Sequence, residues 1–128
     1  MSRLYAPISY WEASEKELAK VCNGCGAKDG MKFPDCMWGL SIVDACNIHD
    51  WMFHIGVTQG DFEFANNMFD HNLRMIIKAE SNWFMRPLRL ARADKYSYGV
   101  EKFGESAYWV ETKVRNAIMS ITIQGEFR

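Results

Sequence analysis

The residues best suited to chemistry lie at 45–53, ACNIHDWMF, where a histidine and an aspartate are adjacent within an apolar run. Burying an imidazole beside a carboxylate costs on the order of several kcal/mol unless each group has a partner. A carboxylate from a neighbouring helix would make His49 a general base that can deprotonate water. Asp50 projects about 100° further round the helix and faces a different neighbour. We therefore expect the two residues to serve two different functions.

The elements that must position this pair are two long helices. A capping-box pattern at Ser41 and Asp44 opens the first, and the second begins at about Asp61 after a short link. The link makes the helices antiparallel neighbours. His49 lies about nine residues before its middle and Asp70 about twelve after, so at ~1.5 Å per residue we expect their side chains to touch. The inward stripe of the second helix is predicted to contain Phe62, Ala65, Asn66, Phe69, Asp70, Leu73, Ile76 and Ile77.

Asp50 is predicted to face the loop at 22–39, CNGCGAKDGMKFPDCMWG, which contains four glycines and three cysteines. A glycine-rich loop offers backbone carbonyl oxygens. A carboxylate combined with several carbonyl oxygens is a ligand set that Ca²⁺ prefers. The sequence therefore predicts a calcium site between this loop and the first long helix.

The rest of the chain is predicted to be helical as well. The fold class is all-α, with further helices over 11–21, 87–103 and 105–119. A chain of 128 residues is expected to form a single domain, 1–128. Four cations recur every three residues: Arg86, Arg89, Arg92 and Lys95. This spacing predicts a solvated helical face. Together with the neighbouring Trp83, Phe84 and Met85, the same cations could instead contact anionic lipid.

Composition restricts the partners. A formal net charge of −1 gives no global attraction to nucleic acid, so no nucleic-acid partner is expected. The first twenty residues lack the pattern of a secretory signal, and no stretch has eighteen uncharged apolar residues. We expect a chain that is cytoplasmic, associated with a particle or released by lysis.

The four cysteines fall within 25 consecutive positions, which indicates that they form disulfides or bind metal. Their positions are Cys22, Cys25, Cys36 and Cys46. The spacing is compatible with a structural zinc site, and a zinc-organised binding module is therefore an alternative.

The segments NGCG, FPD, WG and ACNIHDWMF, in this order, resemble the secreted phospholipase A2 superfamily, and they are most similar to its bacterial and fungal branch. The later segment FANNMFDHNLRMII resembles the second long helix of that superfamily, whose aspartate completes a His–Asp dyad. The resemblance covers about 20–78. It implies a core of two long antiparallel helices with a glycine-rich calcium loop.

The function that this resemblance implies is calcium-dependent hydrolysis of phospholipid acyl esters, with a phospholipid or membrane surface as partner. His49 would activate a water molecule, and Asp70 would orient the imidazole of His49. The implied calcium ligands are Asp50, Asn23, Gly24 and Gly26, and Gly24 or Gly26 would also offer an amide to the oxyanion. The resemblance further implies a disulfide between Cys25 and Cys46, while Cys22 and Cys36 either pair or stay reduced.

The sequence departs from the superfamily pattern at three places. Phe53 stands where the venom and pancreatic enzymes usually have a tyrosine, and Asn23 stands where a bacterial relative would have an aspartate. The loop between Gly26 and Pro34 is also longer than in the bacterial branch. These departures favour a second alternative, a phospholipase-like domain without turnover that serves as an interaction or structural unit.

Overall fold

The computed structural model describes residues 4–22, 24–25, 34–104 and 108–109. This part of the chain is mostly helical, as the all-α prediction requires, with one small antiparallel hairpin. Its elements are α1 (Ile8–Glu12), α2 (Glu15–Val21), β1 (Cys36–Met37), β2 (Leu40–Ser41), α3 (Val43–Ile55), α4 (Gln59–Glu80) and α5 (Met85–Phe103).

The helix predicted over 11–21 is two helices. The predicted helix is interrupted at Ser14, which forms a capping box with Glu17. The Ser14 hydroxyl accepts a hydrogen bond from the Glu17 amide at 3.1 Å, and the Glu17 carboxylate accepts one from the Ser14 amide at 3.1 Å. A residue that caps a new helix has an extended backbone, so α1 cannot run into α2.

The segment predicted as a loop over 22–39 contains strand β1, which pairs with β2 in the register Cys36 to Ser41 and Met37 to Leu40. The two turn residues, Trp38 at φ 47° and Gly39 at φ 85°, both have left-handed backbones. Two such residues match the twist of a tight hairpin, and glycine adopts this conformation without steric cost.

The two long helices are linked by only three residues, 56–58, and lie side by side as predicted. The expected capping box at Ser41 and Asp44 is not formed, because α3 begins at Val43 and has no side-chain cap. A capping box forms instead before α4, where Thr58 accepts from the Asp61 amide at 3.0 Å and Asp61 accepts from the Thr58 amide at 3.2 Å. Helix α4 therefore starts two residues earlier than predicted.

Helix α4 is central to the core, since α3 packs on one side of it and α5 on another. The Cys25–Cys46 disulfide is formed and ties the segment before the hairpin to α3. Closing a loop of this length contributes about 3 kcal/mol. Cys22 and Cys36 are free thiols.

One of the four cations predicted on a solvated face is buried. Arg89 is only 8% exposed, and it donates to the backbone oxygens of Met37 at 3.1 Å and Trp38 at 2.7 Å and to the Ser81 hydroxyl at 2.9 Å. Its guanidinium therefore fastens the hairpin turn to α5. The other three cations, Arg86, Arg92 and Lys95, are exposed as expected.

Some predictions fall on residues outside the described ranges. These are Asn23, Gly26 and, apart from 108–109, the helix over 105–119. Among the described residues, no helix is both long and apolar enough to cross a bilayer.

Candidate functional site

His49 lies in the middle of α3 and is almost completely buried, with 7% of its surface exposed. Its Nε2 atom is 2.8 Å from Oδ1 of Asn66 on α4. Two aromatic rings enclose the imidazole, Phe53 at 4.2 Å and Phe69 at 4.9 Å between centroids. The pairing of the two long helices thus holds the histidine in one orientation within an apolar pocket.

The partner of His49 determines which ring nitrogen is available. The amide oxygen of Asn66 can only accept, so Nε2–H donates to it and the neutral ring keeps its lone pair on Nδ1. The hydrogen bond to Asn66 does not use Nδ1. Nδ1 is therefore the nitrogen of the neutral ring that can accept a proton.

Burial lowers the pKa of His49 to about 4, and the hydrogen bond to Asn66 offsets only part of this effect. The imidazole is consequently neutral at neutral pH. A neutral amide stabilises an imidazolium less than a carboxylate does, because it has a dipole but no charge. The pair can hold a base in place but supports its protonated form weakly.

The predicted pair of His49 with Asp70 is not formed. Asp70 lies one turn further along α4, where its carboxylate accepts from Arg74 Nε at 2.9 Å and from the Ser97 hydroxyl of α5 at 2.6 Å. Arg74 also donates to Asp94, which joins the three charges in one network. Partial burial raises the pKa of Asp70, but the hydrogen bonds from Arg74 and Ser97 outweigh it and leave a lowered pKa. The Asp70 side chain therefore points toward α5, where Ser97 lies, and away from His49.

Asn66 also borders a polar cleft of about 650 Å³ between α4 and α5. The Nδ2 atom of Asn66 is buried and has no hydrogen-bond partner among the described residues. Asn66 therefore separates the histidine from this cleft. The cleft is lined by Gln59, Phe62, Glu63, Asn66, Asn67, Asp70, Asp94, Ser97, Tyr98 and Glu101.

The described part of the predicted calcium loop is fastened to α3 through Asn47. The Gly24 amide donates to Asn47 Oδ1 at 3.0 Å, and the Cys22 thiol donates to the Asn47 carbonyl at 3.2 Å. Gly24 has a φ of 78°, and a Cβ there would be 3.0 Å from a carboxylate oxygen of Asp35, so this position requires glycine. The Gly24 amide is engaged by Asn47 and does not serve as the free oxyanion donor that the resemblance implied.

Asp50 lies close to the same segment. Burial raises the pKa of the Cys22 thiol to about 11, and the negative charge of Asp50 adds to this effect. A half-buried carboxylate beside a backbone segment with carbonyl oxygens has the donor chemistry of a calcium site. Within 4–22, 24–25, 34–104 and 108–109, no three His, Cys, Asp or Glu side chains form a metal-binding group. Backbone carbonyls would therefore have to complete the ligand set.

The chain matches no protein-family model, no curated protein and no solved structure. The assignment of function consequently depends on the motifs and on the geometry around His49. Asn66 and Asn47 are the two residues of that geometry to which the sequence pattern assigned no role.

Proposed function

We propose that this chain hydrolyses acyl esters of phospholipids, with His49 as the base and Asn66 as its positioning residue. One observation carries the proposal: a hydrogen bond of 2.8 Å between two antiparallel helices fixes the imidazole through Nε2, so the lone pair of the neutral ring is on Nδ1. A neutral, oriented imidazole with one available lone pair is what water activation requires.

The reaction follows from this orientation. Nδ1 of His49 takes a proton from a water molecule as the water oxygen forms a bond to the ester carbonyl carbon, and the carbonyl electron pair moves to the carbonyl oxygen. When that pair returns, the ester C–O bond breaks. The proton on His49 then passes to the leaving alkoxide, so the products are a fatty acid and a lysophospholipid. Throughout, Asn66 Oδ1 accepts from Nε2–H and keeps the ring in place.

Asp50 would hold a calcium ion together with loop oxygens of Asn23, Gly24 and Gly26. The bound ion would supply positive charge to the developing oxyanion. Two observations support this assignment: Asp50 follows His49 directly on α3, and its charge acts on Cys22 at the start of the loop. Asn47 contributes by fixing Gly24 and Cys22 to the same helix.

The proposal is tested by measuring fatty-acid release from phospholipid vesicles during a calcium titration. We expect His49→Gln to lower the rate by at least about 100-fold, and Asp50→Asn to remove its calcium dependence. His71→Gln is the matched control, because His71 is an exposed histidine on α4. Wild-type rates in His49→Gln, or rates that a chelator does not change, would overturn the proposal.

A phospholipase-like domain without turnover is the second candidate. The observation that favours it is the neutral amide beside a histidine whose pKa is lowered to about 4. Such a protein would show no fatty-acid release at any calcium concentration. The zinc-organised module is not proposed, since the Cys25–Cys46 disulfide uses two of its four thiols.

A further inference from the structure

Four large apolar side chains are exposed near the start of α5 and the hairpin turn, and we call them the Trp83 patch. Trp83 is 83% exposed, Phe84 61%, Trp38 54% and Leu88 48%. Water-facing tryptophan and phenylalanine of this extent are unfavourable unless they meet a partner. Four such side chains at one end of α5 and the neighbouring hairpin turn therefore indicate an interaction surface.

The patch residues are arranged along the start of α5, and Arg92 connects that row to the hairpin turn. Phe84 and Leu88 are four residues apart at the start of α5 and share one side of the chain there, and Arg92 continues the row one turn later. Trp83 packs edge-on against Phe84 with centroids 5.9 Å apart, and the Arg92 guanidinium lies 5.4 Å from the Trp38 ring. Buried Arg89 bonds to the Trp38 carbonyl and so keeps the hairpin turn beside α5.

The rim of the patch is cationic. Four exposed basic residues at this end of the molecule outnumber three exposed acidic ones, Asp35, Glu80 and Asp94. Asp94 is already bonded to Arg74, and Asp35 accepts from the Cys25 amide. A surface with apolar side chains inside a positive rim is complementary to a layer with negative headgroups above hydrocarbon. The basic residues are Lys78, Arg86, Arg92 and Lys95.

We propose that the Trp83 patch docks the protein on the surface of a bilayer that contains anionic phospholipid. The aromatic rings would enter the interface, where tryptophan is favoured, while the cations contact headgroups. A second copy of the chain fits less well, because two patches would bring two positive rims together. The inference rests on the proposed function for its choice of lipid as partner, but docking does not require turnover.

The test is vesicle co-sedimentation of the full chain with His49→Gln and a chelator present, so that no lipid is hydrolysed. We expect binding at least about 10-fold tighter to vesicles of phosphatidylcholine with phosphatidylglycerol than to phosphatidylcholine alone. The double variant Trp83→Ala with Phe84→Ala should weaken binding at least about 10-fold. Arg92→Glu with Lys95→Glu should remove the preference for anionic vesicles.

Matched controls lie away from the patch. Tyr98→Ala removes a similarly exposed aromatic from the cleft side of α5, and Lys16→Glu with Lys20→Glu reverses two cations on α2; both should bind as the parent does. Thermal unfolding of every variant reports whether its fold is intact. Equal binding by patch variants and parent would overturn the proposal, as would a dimer that the patch variants dissociate and that binds no vesicles.

The two proposals fail separately. The unmodified chain is also assayed on a short-chain phospholipid that stays monomeric in solution. Hydrolysis of this substrate without vesicle binding would overturn only the docking surface, whereas vesicle binding without any hydrolysis would overturn only the proposed function.

Discussion

Asn66 and Asp70 lie one turn apart on α4, yet their surroundings differ completely. Asn66 is 7% exposed and bonds to His49 of α3, whereas Asp70 is 34% exposed and bonds to Arg74 and to Ser97 of α5. The buried position contains a neutral group facing a neutral imidazole, and the half-exposed position contains a carboxylate facing a cation. Burial therefore determines at which of the two positions a carboxylate can be present at low energetic cost.

The largest expected effect on stability is at acidic pH. The His49 pKa is about 4 in the folded chain and about 6.5 when unfolded, so between these values the unfolded state binds more protons. The free energy of unfolding therefore keeps its full value above about pH 6.5, and it should fall by about 3 kcal/mol as the pH drops to about 4. Urea unfolding with a chelator, from pH 7.5 to 4, measures it. His49→Gln should lose this component, and an identical pH profile in both chains would contradict the assignment.

The next effect concerns the buried amide. Asn66→Ala leaves the Nε2–H group of His49 without a partner, so we expect the free energy of unfolding to fall by about 2 kcal/mol. Asn67→Ala is the control, because Asn67 is the exposed neighbour and its loss should change stability by less than about 0.5 kcal/mol. Denaturant unfolding compares the two, and equal effects would show that the hydrogen bond does not contribute.

The smallest effect is expected at the half-exposed network. Asp70→Asn weakens its ion pair with Arg74, but solvent screens that pair and Arg74 keeps its bond to Asp94. We expect a loss of less than about 1 kcal/mol. A double-mutant cycle with Arg74→Gln measures the coupling. A coupling free energy between Asp70 and Arg74 well above that between Asn66 and His49 would mean that position 70, not position 66, contributes more to stability.

Helix pairing was predictable because it depends on periodicity and on a short link. The apolar stripes gave α3 and α4 as neighbours, and α5 was predicted over 87–103 against the observed Met85–Phe103. The Cys25–Cys46 disulfide followed from the resemblance and is confirmed. Helix periodicity and the length of a link can both be read from neighbouring residues in the sequence.

The partner of His49 was not predicted, because a carboxylate was expected on chemical grounds. Asn66 was on the predicted stripe and lies about eight residues after the middle of the link, closer to the nine of His49 than the twelve of Asp70. Height along the helix, at ~1.5 Å per residue, was the available signal. The burial of Arg89 had no such signal, since it depends on the hairpin carbonyls, which belong to a segment more than forty residues away.

The most direct test of the central claim compares turnover in Asn66→Asp and Asp70→Asn. If His49 acts through position 66, a carboxylate there should raise kcat at least about 10-fold and shift the lower limb of the pH–rate profile upward, because it stabilises the imidazolium. Asp70→Asn should change kcat by less than about two-fold. An unchanged rate and pH profile in Asn66→Asp, together with a loss in Asp70→Asn as large as that in His49→Gln, would contradict the account.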